Sequence, residues 1–328
     1  MPLLNRLTRL QIDELIKKHY DLGSVISVRK VKNGWTNTLF KIKTTHGEFF
    51  LKVYEEADQM QIMAEHQVVN FLVKTKFPTA SIIKTRKRVG TCVFDEKNIT
   101  LFVAVEGEPL SISPFKTVLS YRIVSILNLL HNTGTGEFMY LRKLDLAALI
   151  EESLGWYLDD HRVEHLRDEI VKLYEGFSSV SFFNLTKGLV HNDLGSDNFL
   201  IENNNIKALI DFDQVAYGCI INDLAKFIAR SVNFNVYDVK EFTTDVTRFI
   251  GDYSKKSNIS KDDLHALVPL IIFQKVLMLV KVKQNIRQGS LRSHIYHFEE
   301  YAKLLEMELD ILFKHQEIIK NEFNRLLY

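Results

Sequence analysis

The sequence changes period once, near Gly107, and this limits the chain to a sheet-forming segment followed by a helical one. After an opening helix, Val25 to Lys32 alternates, with Val25, Ser27 and Arg29 set against Ile26, Val28 and Lys30. Asn33-Gly34 is a turn signal, and Thr38 to Thr44 and Glu48 to Tyr54 continue the strand pattern around Thr45-His46-Gly47. The pattern predicts a meander of three short strands. Asp58 to Lys74 then carries Ile62, Val69 and Leu72 at helical spacing. Ile82 to Arg88, Thr91 to Asp95 and Thr100 to Val105 read as further strands, closing at Glu106-Gly107.

Beyond Gly107 the spacing is mostly helical. Phe115 to Leu130, Leu144 to Leu158, Val163 to Phe177, Asp223 to Val232, Val239 to Tyr253 and Lys261 to Lys283 are expected helices, with a long last one from about Arg292. Two short apolar runs interrupt them, Lys187 to Val190 and Ile206 to Ile210, and read as the strands of one small hairpin. The expectation is an α+β chain of two lobes, residues 1–107 rich in strands with one helix and residues 108–328 rich in helices.

Composition removes several classes. The chain is short of breakers, with 14 Gly and 5 Pro in 328 residues, and its 46% apolar and 25% charged residues exclude a disordered chain. A net charge of +1 supplies no global field to recruit nucleic acid or an anionic membrane. Charge divides along the chain: 17 basic and 12 acidic residues in 1–110, 25 and 29 in the remainder. That is either scatter or a basic lobe suited to an anion and an acidic lobe suited to a cation. Cys92 and Cys219 have no metal or disulfide spacing and read as small hydrophobes in a reducing compartment. The first twenty residues lack the unbroken apolar run of a secretion signal. Leu264 to Val280 contains His265, Pro269, Gln274 and Lys275 and reads as a buried helix, not a membrane span. A cytoplasmic protein with no nucleic-acid or membrane partner is expected.

The informative segment is Gly188-Leu-Val-His191-Asn-Asp193-Leu-Gly195-Ser-Asp197-Asn198-Phe-Leu-Ile201, followed by Ile206-Lys-Ala-Leu-Ile210-Asp211-Phe-Asp213. A loop between strands can aim two side chains into one cleft, and a returning strand can bring a third beside them. One carboxylate beside a hydroxyl, with a carboxylate and an amide oxygen for a hard cation, is what metal-assisted phosphoryl transfer requires.

This ordered set resembles the catalytic loop and metal strand of the protein-kinase-like superfamily. It is most similar to the small-molecule branch, the aminoglycoside phosphotransferase, choline kinase and homoserine kinase-like family. That family's H-x-D-x-x-x-x-N stands here as His191, Asp193 and Asn198, its I-D-[FWY] as Ile210, Asp211 and Phe212, and its D-L-A as Asp223-Leu224-Ala225. The resemblance implies a bilobal protein-kinase-like fold, with a small antiparallel-sheet lobe and a larger helical lobe. It implies transfer of the γ-phosphate of ATP (or GTP), with Mg²⁺, to a hydroxyl of a small molecule: an aminoglycoside, choline or another amino alcohol, or a homoserine-like compound.

Carried over residue by residue, Asp193 would orient the hydroxyl or take its proton, and Asn198 and Asp211 would hold Mg²⁺. Lys52, inside Phe49-Phe50-Leu51-Lys52-Val53-Tyr54, would bind the α/β-phosphates, positioned by Glu65 of the following helix. Taken alone, Lys52 reads as an exposed strand-edge charge and Glu65 as a solvated helix face. The phosphate-covering turn departs from G-x-G-x-x-G: Asn33 to Phe40 has one glycine, and matches G-x-x-N through Gly34 and Asn37. Backbone N–H groups there and the hydroxyls of Thr36 and Thr38 would donate to phosphate oxygens. Trp35 would close over the nucleotide or simply plug the turn. Backbone groups around Val103 and Val105 would meet the adenine edge. His191 would support the loop, Asp223 would brace its backbone, and Asp213 would touch metal or substrate or make a structural hydrogen bond.

Other groupings have plainer readings. Asp197 reads as a loop residue, and His294 and His297 as helix-face histidines. Glu151-Glu152 and Asp159-Asp160 read as solvated helix termini. A protein Ser/Thr kinase is opposed by the missing arginine in His191-Asn192-Asp193 and by a span from Asp211 to Asp223 too short for a peptide-docking segment. A pseudokinase-type binding module is opposed by the presence of Lys52, Glu65, Asp193, Asn198 and Asp211 together.

Overall fold

Thr8 caps the first helix from both sides. Its hydroxyl accepts from the N–H of Gln11 at 3.3 Å, and its own N–H donates to the Gln11 side chain at 2.9 Å. The helix, α1 (Arg9–His19), buries Ile12, Leu15 and Ile16 on one face. The structure is a computed structural model that describes residues 7–31, 37–111, 114–115, 118–158, 163–232, 234, 238–287 and 295–327. It divides into two compact units, each described separately.

The first unit comprises Met1–Glu108, Phe138–Tyr140 and Phe199–Gln214. Strands β1 (Val25–Lys30), β2 (Thr38–Thr44) and β3 (Gly47–Tyr54) form the expected antiparallel meander. The register runs from Thr38 opposite Val53 to Thr44 opposite Gly47, so the turn is the tight Thr45-His46 pair. Three further strands complete the sheet, β4 (Ile82–Ile83), β5 (Thr91–Phe94) and β6 (Lys97–Val103), and the two-residue strand β7 (Glu108–Pro109) follows in the chain. β6 lies beside β3 and pairs on its other edge with β5, then with β4.

Phe49, Leu51 and Val53 alternate into a core with Phe40, Ile42, Ile99, Leu101 and the α1 residues. Each such aliphatic side chain contributes about 1.5–3 kcal/mol on burial. Helix α2 (Gln59–Lys74) is capped by Asp58, which accepts from Gln61 N–H at 2.7 Å.

The second unit comprises Pro109–Glu137, Leu141–Asn198 and Val215–Tyr328. Its helices include α3 (Val118–His131), α4 (Leu146–Leu158), α5 (Arg167–Phe177), α6 (Ile220–Ser231), α7 (Val239–Ser254), α8 (Lys261–Arg287) and α9 (Ile295–Asn324). Phe115, Phe227 and Phe249 stack as a trio with ring centroids 5.4–5.8 Å apart. α8 is long and apolar enough, by length and composition, to cross a membrane, yet 83% of its apolar window is buried within the protein. It packs against α6 and α9, and its Lys275 forms a buried ion pair with Glu308 of α9. The α+β class and the change from sheet to helix are as expected.

Three local expectations are corrected. Lys187 to Val190 and Ile206 to Ile210 are not partners. β8 (Lys187–Val190) pairs with a later strand, whereas β10 (Asn205–Leu209) pairs with β9 (Phe199–Glu202), which lies between the two runs. Asn203 and Asn204, at φ +50° and +59°, make a tight left-handed turn that closes β9 onto β10. β8 instead meets β11 (Ala216–Cys219), which leads directly into α6. Second, Ile82 to Arg88 is a strand for two residues only. The basic run then turns: Arg88 N–H donates to Thr85 O at 2.8 Å with Arg88 at φ +62°. Third, Glu151 and Glu152 are exposed in the middle of α4, not at its end.

Candidate active site

In the first unit, strand alternation that sends Leu51 and Val53 into the core sends Lys52 and Tyr54 to the opposite face. β3 is central, with Lys52 between Leu39 of β2 and Thr100 of β6. Helix α2 covers that face and presents Glu65, so Lys52 is 3% exposed and Glu65 1%. Neither is the exposed charge that each resembles when taken alone.

Lys52 Nζ donates to Glu65 Oε1 at 3.0 Å and to Asp211 Oδ1 at 2.8 Å, and lies 3.5 Å from Asp213 Oδ2. The second oxygen of Glu65 accepts from Tyr54 Oη at 2.7 Å. Burial opposes a charged Lys52, but Asp211, Glu65 and Asp213 outweigh it and hold the ammonium well above its ordinary pKa. Three carboxylates around one ammonium leave this cluster with excess negative charge, and the Asp211 side chain, 38% exposed, is its open member. Asp211 is held at φ +70°, a backbone strain of about 1 kcal/mol of the kind concentrated at functional sites.

Asn37 and Thr38 lie in this unit, and their side chains are engaged with protein. Asn37 Nδ2 donates to Asp213 Oδ2 at 2.7 Å, and the Thr38 hydroxyl donates to Glu55 Oε1 at 2.6 Å. The Thr38 donor expected at a phosphate is therefore already used. Gly34, Trp35 and Thr36 lie outside the described residues, as do Asp159, Asp160 and His294. The N–H of Val103 is bonded to Ser81 O at 2.9 Å and that of Ala104 to Glu48 O at 3.0 Å. Val105 follows β6 in a stretch outside any strand.

In the second unit, β8 delivers the loop His191–Asn198. Asp223, fully buried on α6, accepts His191 N–H at 2.6 Å and Asn192 N–H at 2.8 Å, one on each carboxylate oxygen. His131 Nε2 is 3.3 Å from the same carboxylate, and its Nδ1 is 2.6 Å from Tyr253 Oη. Because a carboxylate only accepts, the proton in the His131–Asp223 contact is on Nε2. Burial opposes charge on Asp223, but the donor from His131 and the charges of His131, His191 and Lys226 keep its pKa below the usual value. The brace expected of Asp223 is present as geometry.

Two further α6 residues hold the loop. Lys226 Nζ donates to Asn192 O at 2.6 Å, steadying a residue at φ +60°. Arg230 Nη1 donates to Asp193 Oδ1 at 2.8 Å and to Asp193 O at 3.0 Å, and its Nη2 donates to both Asp197 oxygens at 2.9 and 3.0 Å. Asp223, Lys226 and Arg230 stand at i, i+3 and i+7 of one helix, and meet His191, Asn192 and Asp193 in order. That spacing was readable in the sequence but unused, since helix charges ordinarily read as solvated. Asn198 Nδ2 donates to Asp193 O at 2.8 Å, which fixes the amide and leaves Oδ1 for a cation.

Residues 27–251, more than half of the chain, match the phosphotransferase enzyme family. The chain belongs to that family. A homoserine kinase of Paraburkholderia phymatum is 25% identical over 204 residues, covering 61% of this chain and 62% of the relative. The first curated relatives it matches are spanned over 60–64% of their lengths. An amicoumacin kinase solved with AMP-PNP, Ca²⁺ and Ami superposes with a TM-score of 0.68 at 14% identity, covering 96% of this chain and 94% of the other. An ethanolamine kinase of Plasmodium vivax superposes with a TM-score of 0.63 at 16% identity, covering 96% and 86%. The fold of this family member is thus that of protein-kinase-like small-molecule kinases.

Proposed function

We propose that this phosphotransferase-family protein moves the γ-phosphate of ATP (or GTP), with Mg²⁺, to a hydroxyl of a small molecule. The observation that carries the reading is the buried Lys52 ammonium held by Glu65 and Asp211. A lysine braced on a covered strand, with a half-open carboxylate beside it, suits a nucleotide triphosphate and its cation. Lys52 binds the α/β-phosphates. Glu65 positions it, with Tyr54 fixing the other oxygen of Glu65.

Magnesium neutralises charge on the phosphates when bound. Among the described residues no cluster of three or more His, Cys, Asp or Glu side chains could hold a metal alone. Asp211 and Asn198, the two positions that the resemblance assigns to the metal, would each supply one oxygen to it. Val103 and Val105 mark the adenine-facing stretch, where the committed Val103 N–H directs attention to Val105. Gly34, Thr36, Asn37 and Thr38 belong to the phosphate-covering turn, Asn37 and Thr38 by shaping it.

Asp193 takes the proton of the acceptor hydroxyl as its oxygen forms the bond to the γ-phosphorus. The bond from that phosphorus to the bridging oxygen breaks, and ADP leaves. The acceptor is a small hydroxylated molecule. The homoserine kinase relatives make L-homoserine the first to test, and the ethanolamine and amicoumacin kinases widen the panel. The span from Asp211 to Asp223 is filled by the turn Phe212–Gln214, β11 and the start of α6, which argues against a peptide acceptor.

The test is ADP release from Mg-ATP by the purified protein across L-homoserine, ethanolamine, choline and aminoglycosides, with phosphorus NMR of the product. One acceptor should yield ADP and a phosphomonoester in equal amounts. Binding of ATP with no acceptor-dependent ADP would turn the reading to a nucleotide-binding module.

A further inference from the structure

Arg230 is absent from the motifs that relate this chain to its family, yet it touches Asp193 twice. Its Nη1 donates to the carboxylate Oδ1 at 2.8 Å and to the backbone carbonyl at 3.0 Å. That carbonyl also accepts from Asn198 Nδ2 at 2.8 Å, so one oxygen joins the guanidinium, the carboxylate residue and the candidate metal amide. The other edge of the guanidinium is a two-toothed pair with Asp197, whose side chain is 63% exposed against 23% for Arg230. A pair this exposed adds little to stability, on the order of 1 kcal/mol or less. A planar fork with both nitrogens engaged fixes direction instead.

The loop makes room for it. A Cβ built on Gly195 would stand 2.6 Å from Arg230 Cζ and Nε and 2.4 Å from Asp197 Oδ1. Any side chain at 195 would therefore displace the guanidinium and its second carboxylate together. Lys226 and Asp223 hold the backbone of the preceding residues, with Lys226 also donating to Asn192 Oδ1 at 3.3 Å, and Arg230 reaches the two loop carboxylates Asp193 and Asp197.

We propose that Arg230 is a positioning residue for phosphoryl transfer: it holds Oδ1 of Asp193 so that Oδ2 is aimed at the acceptor hydroxyl, and Gly195 is the residue that admits it. This rests on the function proposed above. Asp197, which the sequence presents as a loop residue, is the counterweight that keeps the fork in plane. Two carboxylates satisfy the guanidinium, so its work is geometric and it is not a phosphate ligand.

The test uses Arg230→Ala, Arg230→Lys and Gly195→Ala in the full chain. The three atoms nearest a Cβ at 195 belong to the Asp197 and Arg230 side chains, so Gly195→Ala dislodges the fork from the other side. With the acceptor found in the panel, kcat should fall about 10²-fold in Arg230→Ala and Gly195→Ala, as expected for misplacement near 1 Å. KM for Mg-ATP and acceptor should stay within about threefold, since binding groups are untouched. Arg230→Lys should recover part of the rate, and added guanidinium ion should raise the rate of Arg230→Ala while leaving wild type unchanged. Hydrogen exchange of amides 191–198 should quicken in both variants, with the rest of the second unit unchanged.

A kcat within about twofold of wild type in both variants, or a raised KM at constant kcat, would overturn the proposal. If wild type phosphorylates no acceptor, the function proposed above fails and exchange alone decides. Unchanged protection at 191–198 would then overturn the positioning role, and faster exchange confined there would support it.

Discussion

Asn37 Nδ2 donates to Asp213 Oδ2 at 2.7 Å, joining two residues 176 apart in sequence at the edge of the Lys52 cluster. The other end of the same amide accepts Glu55 N–H at 3.4 Å, and Gln61 Nε2 donates to Asp213 O at 2.9 Å. Asp213 thus makes hydrogen bonds within the protein, one of the two alternatives that the sequence left open. Removing the amide leaves a buried carboxylate short of a donor. Asn37→Ala should cost about 1–3 kcal/mol in urea unfolding. Asp213→Asn keeps an oxygen for Asn37 and should cost less. Equal losses would show that charge on Asp213, not the Asn37 bond, is what matters.

Asp193→Ala removes the carboxylate and leaves Lys52, Glu65 and Asp211 untouched. Turnover should fall by orders of magnitude while ATP affinity, measured by calorimetry, stays close to wild type. Wild-type turnover would mean that the hydroxyl proton goes elsewhere.

The parts legible in the sequence were those whose cause is local. Strand β2 ends where alternation ends, and α2 starts where Asp58 can cap it. Lys52 and Glu65 were legible only through the resemblance, since each taken alone reads as an exposed charge. The pairing of β8 with β11 was not legible, since a four-residue apolar run carries no address for its partner. β9 was hidden inside the functional motif, where Phe199 and Leu200 looked like its trailing residues. The partners of Arg230 and Thr38 were missed for a shared reason: each side chain bonds a carboxylate on another element, which the pattern of its own element does not identify.

Asp211→Asn separates two roles of one carboxylate. The variant keeps an oxygen but loses the charge that faces Lys52 at 2.8 Å and would face Mg²⁺. ATP affinity in the presence of Mg²⁺ should weaken, with the magnesium titration moved to higher concentration by about tenfold or more, since a charged ligand is lost. Affinity for ATP without Mg²⁺ should hold or rise, because Lys52 loses a competing anion. An unchanged magnesium titration would exclude Asp211 as a metal ligand.

His66 gives the first unit a dependence on pH. Its Nε2 lies 3.0 Å from Thr100 Oγ1, and burial, then the Lys52 ammonium, pulls its pKa down to about 4. The unfolded chain takes up a proton as pH falls through the ordinary value of 6.5, whereas the folded chain stays neutral until about 4. Between these limits the unfolded state binds more protons, so this contribution is full above 6.5 and is lost progressively as pH falls towards 4. At about 1.4 kcal/mol per pKa unit, the loss reaches about 3 kcal/mol. Urea unfolding of wild type and His66→Gln from pH 7.5 to 4.5 isolates it, because the carboxylate contributions cancel in the difference. The variant should lose less stability than wild type across that range. Parallel curves would show that the folded imidazole protonates as readily as the unfolded one.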